Sequence, residues 1–337
     1  MISALLLAAA IVSPQLHPDG RVTFRLDAPK AATVKLWGEW IPKYNTVETL
    51  EKSPGGPWTI TIGPIPPNLY SYLFLVDGLP FHDPNNPAVF TGHDGNATSL
   101  LHLPAPSPEP HQPRPGPKGV LHTHSEPANF TVYTPPGYNP NAPARYPVLY
   151  LLHGSGDTHA SWVNPGRANV IADNLIAAGQ LRPLLIVLPD GHAISRANPN
   201  LPIAFLDQNY KTIPHRRGRA IAGLSMGAFQ AAWIALDSPQ TFGALAAFSG
   251  GLAAEESDPQ IAALAQSKTV FHPLTLAIGD RDINLPFTRR LATKLTEHNI
   301  THDFSVVPNA GHNWPFWRQA VAGLLPRLFP LEEEPPR

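Results

Sequence analysis

A proline-rich segment about a third of the way along the chain most constrains the fold. Residues 104–119 read PAPSPEPHQPRPGPKG, and seven of the first fourteen are proline. Proline has no backbone N–H and a fixed φ, so this run cannot continue a helix or an inner strand and favours an extended spacer. The sequence therefore predicts a linker over residues 104–118 with a folded domain on each side.

Polar and apolar residues alternate in short runs between residues 14 and 103. The alternation is clearest in RVTFRLDAP, ATVKLWGEW, PWTITIGPI and NLYSYLFLVDG, which are separated by turn residues. A period of two places successive side chains on opposite faces of a strand. The pattern predicts a small, all-β, immunoglobulin-like sandwich over residues 14–103.

The pattern changes to continuous apolar runs after Gly119. YPVLYLLHG, PLLIVLPDG, RAIAGLS, GALAAFSGG and LTLAIGD have the composition of strands that are covered on both faces. Between them lie ANVIADNLIAAG, MGAFQAAWIAL and FTRRLATKLTEHN, whose apolar residues have helical spacing. Alternating strands and helices predict an α/β domain with a doubly wound, mostly parallel sheet over residues 119–331.

The two ends of the chain have different compositions. The apolar run in MISALLLAAAIVSPQL is too short to cross a membrane. It resembles the apolar part of a secretory signal, although no Lys or Arg precedes it. We therefore expect a signal peptide over residues 1–13 and a secreted or periplasmic protein; a buried first strand and a misplaced start codon are the alternatives. The final residues, 332–337, read EEEPPR and predict a frayed tail.

Charge and cysteine content exclude several classes of function. The 24 Lys and Arg residues balance 25 Asp and Glu residues, and no basic cluster occurs. Nucleic acid and membranes are therefore not expected partners. The absence of cysteine excludes disulfides, thiolate zinc sites and cysteine nucleophiles. His122 and His124 form an H-x-H without a third ligand at metal spacing, so no metal and no cofactor are expected.

One glycine-bracketed serine is a candidate nucleophile. Gly223-Leu224-Ser225-Met226-Gly227 is a G-x-S-x-G that joins a predicted strand to a predicted helix. A serine nucleophile of the α/β-hydrolase type needs this sharp turn, because the turn projects Oγ above the sheet. A small-residue helix start would produce the same spacing, so the motif alone does not decide between the two interpretations.

Three further segments favour catalysis. Leu152-His153-Gly154-Ser155-Gly156 follows a predicted strand, and its N–H groups could join that of Met226 in stabilising an oxyanion. Asp280 and Asp282 follow a later strand, and His312 follows the last one. The order Ser, Asp, His is that of α/β-hydrolases, and open α/β sheets place their sites at the carboxyl ends of strands.

These motifs, together with several others, resemble the carbohydrate-esterase family that includes bacterial feruloyl esterases and is related to enterochelin esterase and the mycolyltransferases. The matching stretches are TPPGYNP, RYPVLYLLHGSGD, GRANVIADNLIAAG, PDGHA, RAIAGLSMG, GDRD and GHNWPFW. The resemblance implies an α/β-hydrolase with Ser225, Asp282 and His312 as its catalytic residues, because the acid of the family's G-x-x-D falls on Asp282. It also implies an oxyanion hole formed by the N–H groups of Ser155 and Met226. Residues 14–103 resemble the early-set β-sandwich often fused to these esterases, which is akin to glycogen-binding modules.

Substrate contacts are predicted less specifically. His153 belongs to the glycine-rich segment 152–156, which we call the oxyanion loop, and it is a candidate substrate contact. Trp162, Trp314 and Phe316 could form an aromatic wall around the substrate, with core packing as the alternative for each. Relatives usually have a longer segment after PDGHA, and the short GHAISRANPNLPIAFLDQNYKTIPHRRGRAIAG here predicts a more open cleft. In VKLWGEW, alternation places Val34 and Leu36 on one face and Lys35 and Trp37 on the other. There Trp37 could contact a polysaccharide, with packing against the catalytic domain as the favoured alternative.

The sequence therefore predicts a serine esterase for acyl or feruloyl esters of plant polysaccharides or oligosaccharides. An esterase for another bulky ester, such as a siderophore lactone, and an acyltransferase are the alternatives within enzymes. A carbohydrate-binding protein with a relict hydrolase domain is the alternative outside them.

Overall fold

The computed structural model describes residues 11–41, 46–252, 258–267 and 269–330. These residues divide into two compact units, the first ending at Pro106 and the second beginning at Ser107. Most of the predicted signal peptide, 1–13, and the whole predicted tail, 332–337, lie outside the described residues. Both therefore stay predictions.

Antiparallel sheets form the first unit. Its strands are β1 (Gln15–Leu16), β2 (Val22–Leu26), β3 (Val34–Gly38), β4 (Glu48–Thr49), β5 (Glu51–Lys52), β6 (Trp58–Ile62), β7 (Asn68–Val76), β8 (Leu79–Phe81), β9 (Val89–Thr91) and β10 (Ala97–Leu103). One sheet has the order β1-β2-β6-β5 and the other the order β4-β3-β7-β10-β9, with β8 paired to β7.

The core of the first unit draws on strands from both sheets. Phe24 of β2, Leu36 of β3 and Phe74 of β7 are fully buried in one apolar cluster. On β3, Lys35 is exposed and Trp37 is partly exposed, while the residues on either side of them are buried. The alternation in VKLWGEW therefore predicts the two faces of this strand correctly.

A mixed sheet with helices on both faces forms the second unit. Its strands are β11 (Val120–His124), β12 (Phe130–Thr134), β13 (Val148–Leu152), β14 (Leu185–Pro189), β15 (Arg219–Leu224), β16 (Ala244–Phe248), β17 (Leu274–Gly279) and β18 (Asp303–Val307). Its α-helices are α1 (Ala168–Ala177), α2 (Ile203–Asn209), α3 (Met226–Asp237), α4 (Asp258–Ser267), α5 (Leu285–Glu297) and α6 (Trp314–Leu328). The strand order is β11-β12-β14-β13-β15-β16-β17-β18.

The central strands of this sheet are parallel. Strands β14, β13, β15, β16, β17 and β18 pair in parallel in that order, whereas β11 and β12 pair antiparallel. Strands β13 to β17 are buried on both faces, as in β15, all of whose residues are buried, whereas β18 at the end of the sheet is largely exposed. Fully buried strands need apolar side chains on both sides, which explains the continuous apolar runs of the sequence.

The two faces of the sheet are covered by different helices. Residues of α3, α4 and α5 share one core cluster with alternate strand residues such as Ile221. Residues of α1 and α6 share a second cluster with the intervening strand residues, such as Ala220 and Ala222. Because side chains alternate along a strand, the two clusters lie on opposite faces. We call these faces the α3/α5 face and the α1/α6 face.

Part of the proline-rich segment is packed onto the second unit. Asn174 of α1 donates Nδ2 hydrogen bonds of 2.8 Å to the carbonyl oxygens of Pro110 and Gln112. His111 between them is 6% exposed. Proline cannot donate a hydrogen bond but its carbonyl can accept one, so the segment is held here without regular structure. These residues do not act as a free spacer, although the linker boundaries of 104–118 stay a prediction.

The short connection after PDGHA contains a helix that packs against the core. It contains α2, in which Leu206 is fully buried and Phe205 packs against the core of the α3/α5 face. None of the helices in the described ranges is long and apolar enough to cross a bilayer.

Candidate active site

The predicted site residues lie at one edge of the mixed sheet. Leu152 of β13 pairs with Gly223 of β15, and Gly279 of β17 pairs with Val307 of β18. Parallel strands end at the same edge, so the loops that follow β13, β15, β17 and β18 meet there. Four segments that are far apart in the sequence therefore lie together, because each of them follows one of these strands.

Ser225 occupies a strained turn between β15 and α3. Its φ is 50° and its ψ is −121°, a conformation that L-residues rarely adopt. A Cβ atom at Gly223 would lie 2.3 Å from the Gly227 carbonyl oxygen, and one at Gly227 would lie 2.5 Å from that of His153. Both glycines are therefore required, the first for the sharp turn and the second for the close approach of the loop after β13.

Ser225, His312 and Asp282 form a continuous hydrogen-bond chain. The distance from His312 Nε2 to Ser225 Oγ is 3.0 Å. His312 Nδ1 lies 3.0 Å and 3.1 Å from the two carboxylate oxygens of Asp282. A carboxylate can only accept, so Nδ1 carries the proton and Nε2 is free to accept from the Ser225 hydroxyl. Ser225 and His312 are partly exposed, whereas Asp282 is 5% exposed.

The structure distinguishes the two candidate acids. Asp282 contacts His312, and its Oδ1 also accepts a 2.8 Å hydrogen bond from the backbone N–H of Asn284. Asp280 is exposed, and its backbone N–H donates to the carbonyl oxygen of Val307. Spacing leaves the choice open, and the geometry agrees with the residue that the family resemblance implies.

His153 fixes the loop that carries Ser155. Its Nε2 accepts a 2.8 Å hydrogen bond from the backbone N–H of Gly191, while the Asp190 carboxylate lies farther away at 3.6 Å. A backbone N–H can only donate, so the proton of the ring is on Nδ1, which donates to the Gly154 carbonyl oxygen at 2.8 Å. In a planar trans peptide the C=O and N–H point in opposite directions. Holding the Gly154 carbonyl therefore directs the Ser155 N–H the other way.

The oxyanion loop also lies against the nucleophile. A Cβ at Gly154 would be 3.3 Å from Ser225 Cβ. Ser155 is exposed and Met226, at the start of α3, is partly exposed. The N–H of Ser155, in the loop after β13, and the N–H of Met226, directly after the nucleophile, can act together as an oxyanion hole.

Asp157 adds a carboxyl group with an unusual pKa to this loop. Burial raises its pKa to about 6, against the opposing influence of His153. A carboxyl withdrawn from water favours its neutral form because the charged form loses hydration. Asp157 therefore changes charge in a pH range where other carboxyl groups are ionised.

The predicted substrate contacts are not available to a substrate. Trp162, Trp314 and Phe316 are 1%, 4% and 3% exposed and belong to the core of the α1/α6 face. His153 is 1% exposed, and both ring nitrogens have partners. These burials contradict the predicted aromatic wall and agree with its alternative, core packing. Trp162 and Trp314, for example, have ring centroids 5.2 Å apart.

Several supporting residues were missed from the sequence. Gln230 of α3 donates to the Gly191 carbonyl oxygen at 2.8 Å and so holds the partner of His153. Asn284 donates to the Ser249 carbonyl oxygen at 2.8 Å, and Trp317 Nε1 donates to Ser249 Oγ at 2.8 Å. The PDGHA motif signals the Gly191 turn, but nothing in the local pattern marks Gln230, Ser249 or Asn284.

Within the described ranges, no group of three or more His, Cys, Asp or Glu side chains could hold a metal ion. The expectation of a metal-free and cofactor-free site stays a prediction.

Comparison with known proteins adds a family and a fold. The Esterase family model matches residues 122–203 and 198–328. An endo-1,4-beta-xylanase/feruloyl esterase of Xylanibacter ruminicola is 28% identical over 348 aligned residues, which cover 94% of this chain and 46% of that protein. Endo-1,4-beta-xylanase Y of Acetivibrio thermocellus is 25% identical over 60% of this chain and 22% of its own length. The chain thus spans less than half the length of these relatives.

Solved structures match the fold. The feruloyl esterase module from Clostridium thermocellum, complexed with sinapinate, has a TM-score of 0.59 and 22% identity, covering 69% of this chain and 96% of that one. The enterobactin esterase from Shigella flexneri has a TM-score of 0.66 and 17% identity, covering 91% of this chain and 93% of that one. At these identities the likeness shows the fold alone, an α/β architecture of the hydrolase type.

Proposed function

The chain belongs to the Esterase family, and we propose that it is an enzyme that hydrolyses carboxylic esters by a Ser-His-Asp acyl-enzyme mechanism. The observation that carries this proposal is the hydrogen-bond chain from Asp282 through His312 to Ser225, with distances of 3.0 Å at each step. Ser225 is the nucleophile, His312 the general base and Asp282 the group that orients the imidazole.

The first half of the reaction forms the acyl-enzyme. Ser225 Oγ attacks the ester carbonyl carbon while its proton passes to His312 Nε2. The resulting oxyanion accepts hydrogen bonds from the N–H groups of Ser155 and Met226. The tetrahedral intermediate then expels the alcohol, which takes the proton from His312. Asp282 stabilises the imidazolium in between.

The second half releases the acid. A water molecule gives its proton to His312 and attacks the acyl carbon, and Ser225 leaves with that proton as the carboxylic acid is formed. Each half uses the same oxyanion hole and returns His312 to its neutral state. No cofactor enters either half.

For the substrate, we propose acyl or feruloyl esters of plant polysaccharides or derived oligosaccharides. The support is the name of the Xylanibacter relative, which combines xylanase and feruloyl esterase and aligns with 94% of this chain. A bulky lactone of the siderophore kind is the second candidate, because the enterobactin esterase fold covers 91% of this chain, including the first unit. An acyltransferase would need an alcohol in place of water in the second half. Family membership favours an enzyme over a carbohydrate-binding protein with a relict domain.

We further propose that the first unit is an early-set sandwich whose partly exposed Trp37 contacts polysaccharide, and that the protein is secreted or periplasmic. The support for the first is the pair of antiparallel sheets and the exposure of Trp37 on the face opposite Leu36. The support for the second is the apolar run at the N-terminus alone.

Ser225→Ala tests the mechanism. We expect kcat for p-nitrophenyl acetate to fall by about 10³-fold or more, since removing the nucleophile leaves only binding and the oxyanion hole. The initial acyl burst should disappear, and the midpoint of thermal unfolding should stay near that of the wild type. Ser238→Ala, an exposed serine after α3, is the matched control. Unchanged turnover in Ser225→Ala would contradict the mechanism.

Kinetics on three esters test the substrate. Methyl ferulate, acetylated xylan and a lactone siderophore should be compared through kcat/KM under the same conditions. The proposal expects methyl ferulate or acetylated xylan to be preferred, whereas a preference for the lactone would favour the second candidate.

A further inference from the structure

An exposed apolar surface lies beside the candidate active site on the α3/α5 face. It consists of Phe229, Ile283 and Phe287. Ile283 is 49% exposed and Phe287 is 40% exposed, while Phe229 is partly exposed. Large apolar side chains that are exposed together are unusual in a folded protein and commonly mark a binding surface. We call these three residues the apolar surface.

Backbone contacts hold this surface next to the nucleophile. Phe229 is one helical turn after Ser225, and its backbone N–H donates to the Ser225 carbonyl oxygen at 3.2 Å. A Cβ at Gly250 would touch both of these residues, at 2.8 Å from Ser225 O and 3.3 Å from Phe229 Cδ2. Ile283 directly follows Asp282. The apolar surface therefore begins where the catalytic residues end.

The first turn of α5 is fixed to the same place. Thr288 Oγ1 donates to the Gly250 carbonyl oxygen at 2.9 Å, and Asn284 Nδ2 donates to that of Ser249 at 2.8 Å. These bonds bring Phe287 to Phe229, and the two rings meet edge to face with centroids 5.8 Å apart. The surface is thus a fixed part of the site.

Both phenylalanine side chains lean toward the catalytic edge. Side chains on an α-helix point toward its N-terminus. Helices α3 and α5 both begin at the carboxyl edge of the sheet, just after Ser225 and Asp282. Phe229 and Phe287 therefore cover the turns that carry these residues.

The position of His312 decides which part of an ester would lie there. His312 lies two residues before the start of α6, and its ring packs edge to face on Trp317 of α6 with centroids 5.0 Å apart. It thus approaches Ser225 from the α1/α6 face. The leaving alcohol takes its proton from His312 Nε2 and must lie on that side. The acyl group stays bonded to Ser225 Oγ and has the opposite side available.

We propose that Phe229, Ile283 and Phe287 bind the acyl part of the ester and give the enzyme a preference for bulky apolar or aromatic acyl groups. This inference rests on the acyl-enzyme mechanism proposed above. A longer chain or an aryl ring would cover more of the apolar surface than an acetyl group and would remove more of it from water.

Two series of esters test the proposal. In the first, the leaving group is p-nitrophenol and the acyl group runs from acetyl through butyryl to octanoyl and feruloyl. In the second, the acyl group is acetyl and the alcohol varies in size. We expect Phe287→Ala to lower the octanoate to acetate ratio of kcat/KM by about tenfold, as for the loss of a few apolar contacts. Ile283→Ser should act in the same direction, and the alcohol series should show no comparable change in ratio.

Phe304→Ala is the matched control, because Phe304 is 37% exposed but lies near the amino end of β18, whereas the apolar surface lies at the carboxyl edge of the sheet. Circular dichroism and thermal unfolding would show that each variant is folded. An unchanged acyl ratio in both Phe287→Ala and Ile283→Ser, with turnover retained, would overturn the proposal and leave the mechanism standing. A change confined to the alcohol series would assign the surface to the other half of the ester and also overturn it.

Discussion

The two sides of Ser225 use aromatic residues in opposite ways. On the α1/α6 face, Trp162, Trp314 and Trp317 are between 1% and 6% exposed and pack edge to face. On the α3/α5 face, Phe287 is 40% exposed and contacts Phe229 at the surface. One group supports the catalytic histidine from behind, and the other lies open to solvent beside the nucleophile.

An aromatic residue near a catalytic motif is therefore not by itself evidence of substrate contact. The tryptophans next to the predicted histidine and oxyanion loop are closer to these motifs in sequence than Phe287 is. Burial places them in the core, where their effect on activity would come through stability. We therefore expect substitutions on the α1/α6 face mainly to lower the free energy of unfolding, and substitutions on the α3/α5 face mainly to change kcat/KM.

Trp162→Ala should give the largest effect on stability. Trp162 is 1% exposed, and its Nε1 donates to the Leu152 carbonyl oxygen at 3.0 Å. We expect the free energy of unfolding to fall by about 3–5 kcal/mol, because a large cavity forms and a buried acceptor loses its partner. Chemical denaturation would measure this. Phe287→Ala provides the contrast and should cost under about 1 kcal/mol, as is usual for surface positions. Equal losses of unfolding free energy in the two variants would show that the two faces do not differ in this way.

His153→Ala is an intermediate case that sharpens the comparison, since His153 is as buried as Trp162 but acts on the oxyanion loop. Without its Nδ1–H the Gly154 carbonyl oxygen keeps the longer 3.2 Å hydrogen bond from the Asp157 N–H, and the Ser155 N–H is held less firmly in its direction. We expect kcat to fall about 100-fold, or ~2.7 kcal/mol in activation free energy, with a smaller change in KM. Steady-state kinetics would separate the two constants.

Two further variants identify the cause of that loss. His153→Asn keeps a donor near the position of Nδ1 and should recover part of kcat, whereas His302→Ala, remote from the loop, should change neither constant. If kcat stayed near the wild-type value in His153→Ala while stability fell, His153 would be a core residue like the tryptophans.

Asp157→Asn should give the smallest effect, visible in the pH dependence of stability. The folded-state pKa of Asp157 is raised to about 6 from 3.8. In the range between these values the folded protein holds more protons than the unfolded chain, so this group lowers stability as pH rises. We expect the unfolding free energy of the wild type to decline by about 1 kcal/mol relative to Asp157→Asn between pH 4 and pH 7, allowing for partial exposure. Parallel stability curves for the two proteins would show that Asp157 is not withdrawn from water.

Much of the candidate site could be predicted because its main residues belong to short motifs, each formed by residues close together in the sequence. G-x-S-x-G at a strand-to-helix junction, a glycine-rich loop after an earlier strand, and acid and histidine loops after later strands all follow from periodicity and spacing. The resemblance to feruloyl esterases then selected Asp282 over Asp280. The supporting bonds from Gln230 and Asn284 could not be predicted, because their partners, Gly191 and Ser249, are more than thirty residues away and no local pattern pairs them.

Sequence patterns alone predicted the α/β character of the second unit and the antiparallel strands of the first, and they marked Ser225, His312 and either Asp280 or Asp282 as candidates. These features depend on the hydrophobic period and on turn residues, which are properties of short segments. Which aromatic side chains are buried and which are exposed beside the site follows from the packing of the whole domain. Burial depends on what the other face of each helix packs against, and that is set by helices and strands far away in the chain. For this reason the predicted tryptophan wall became core, and Phe229, Ile283 and Phe287 became the surface available to an ester.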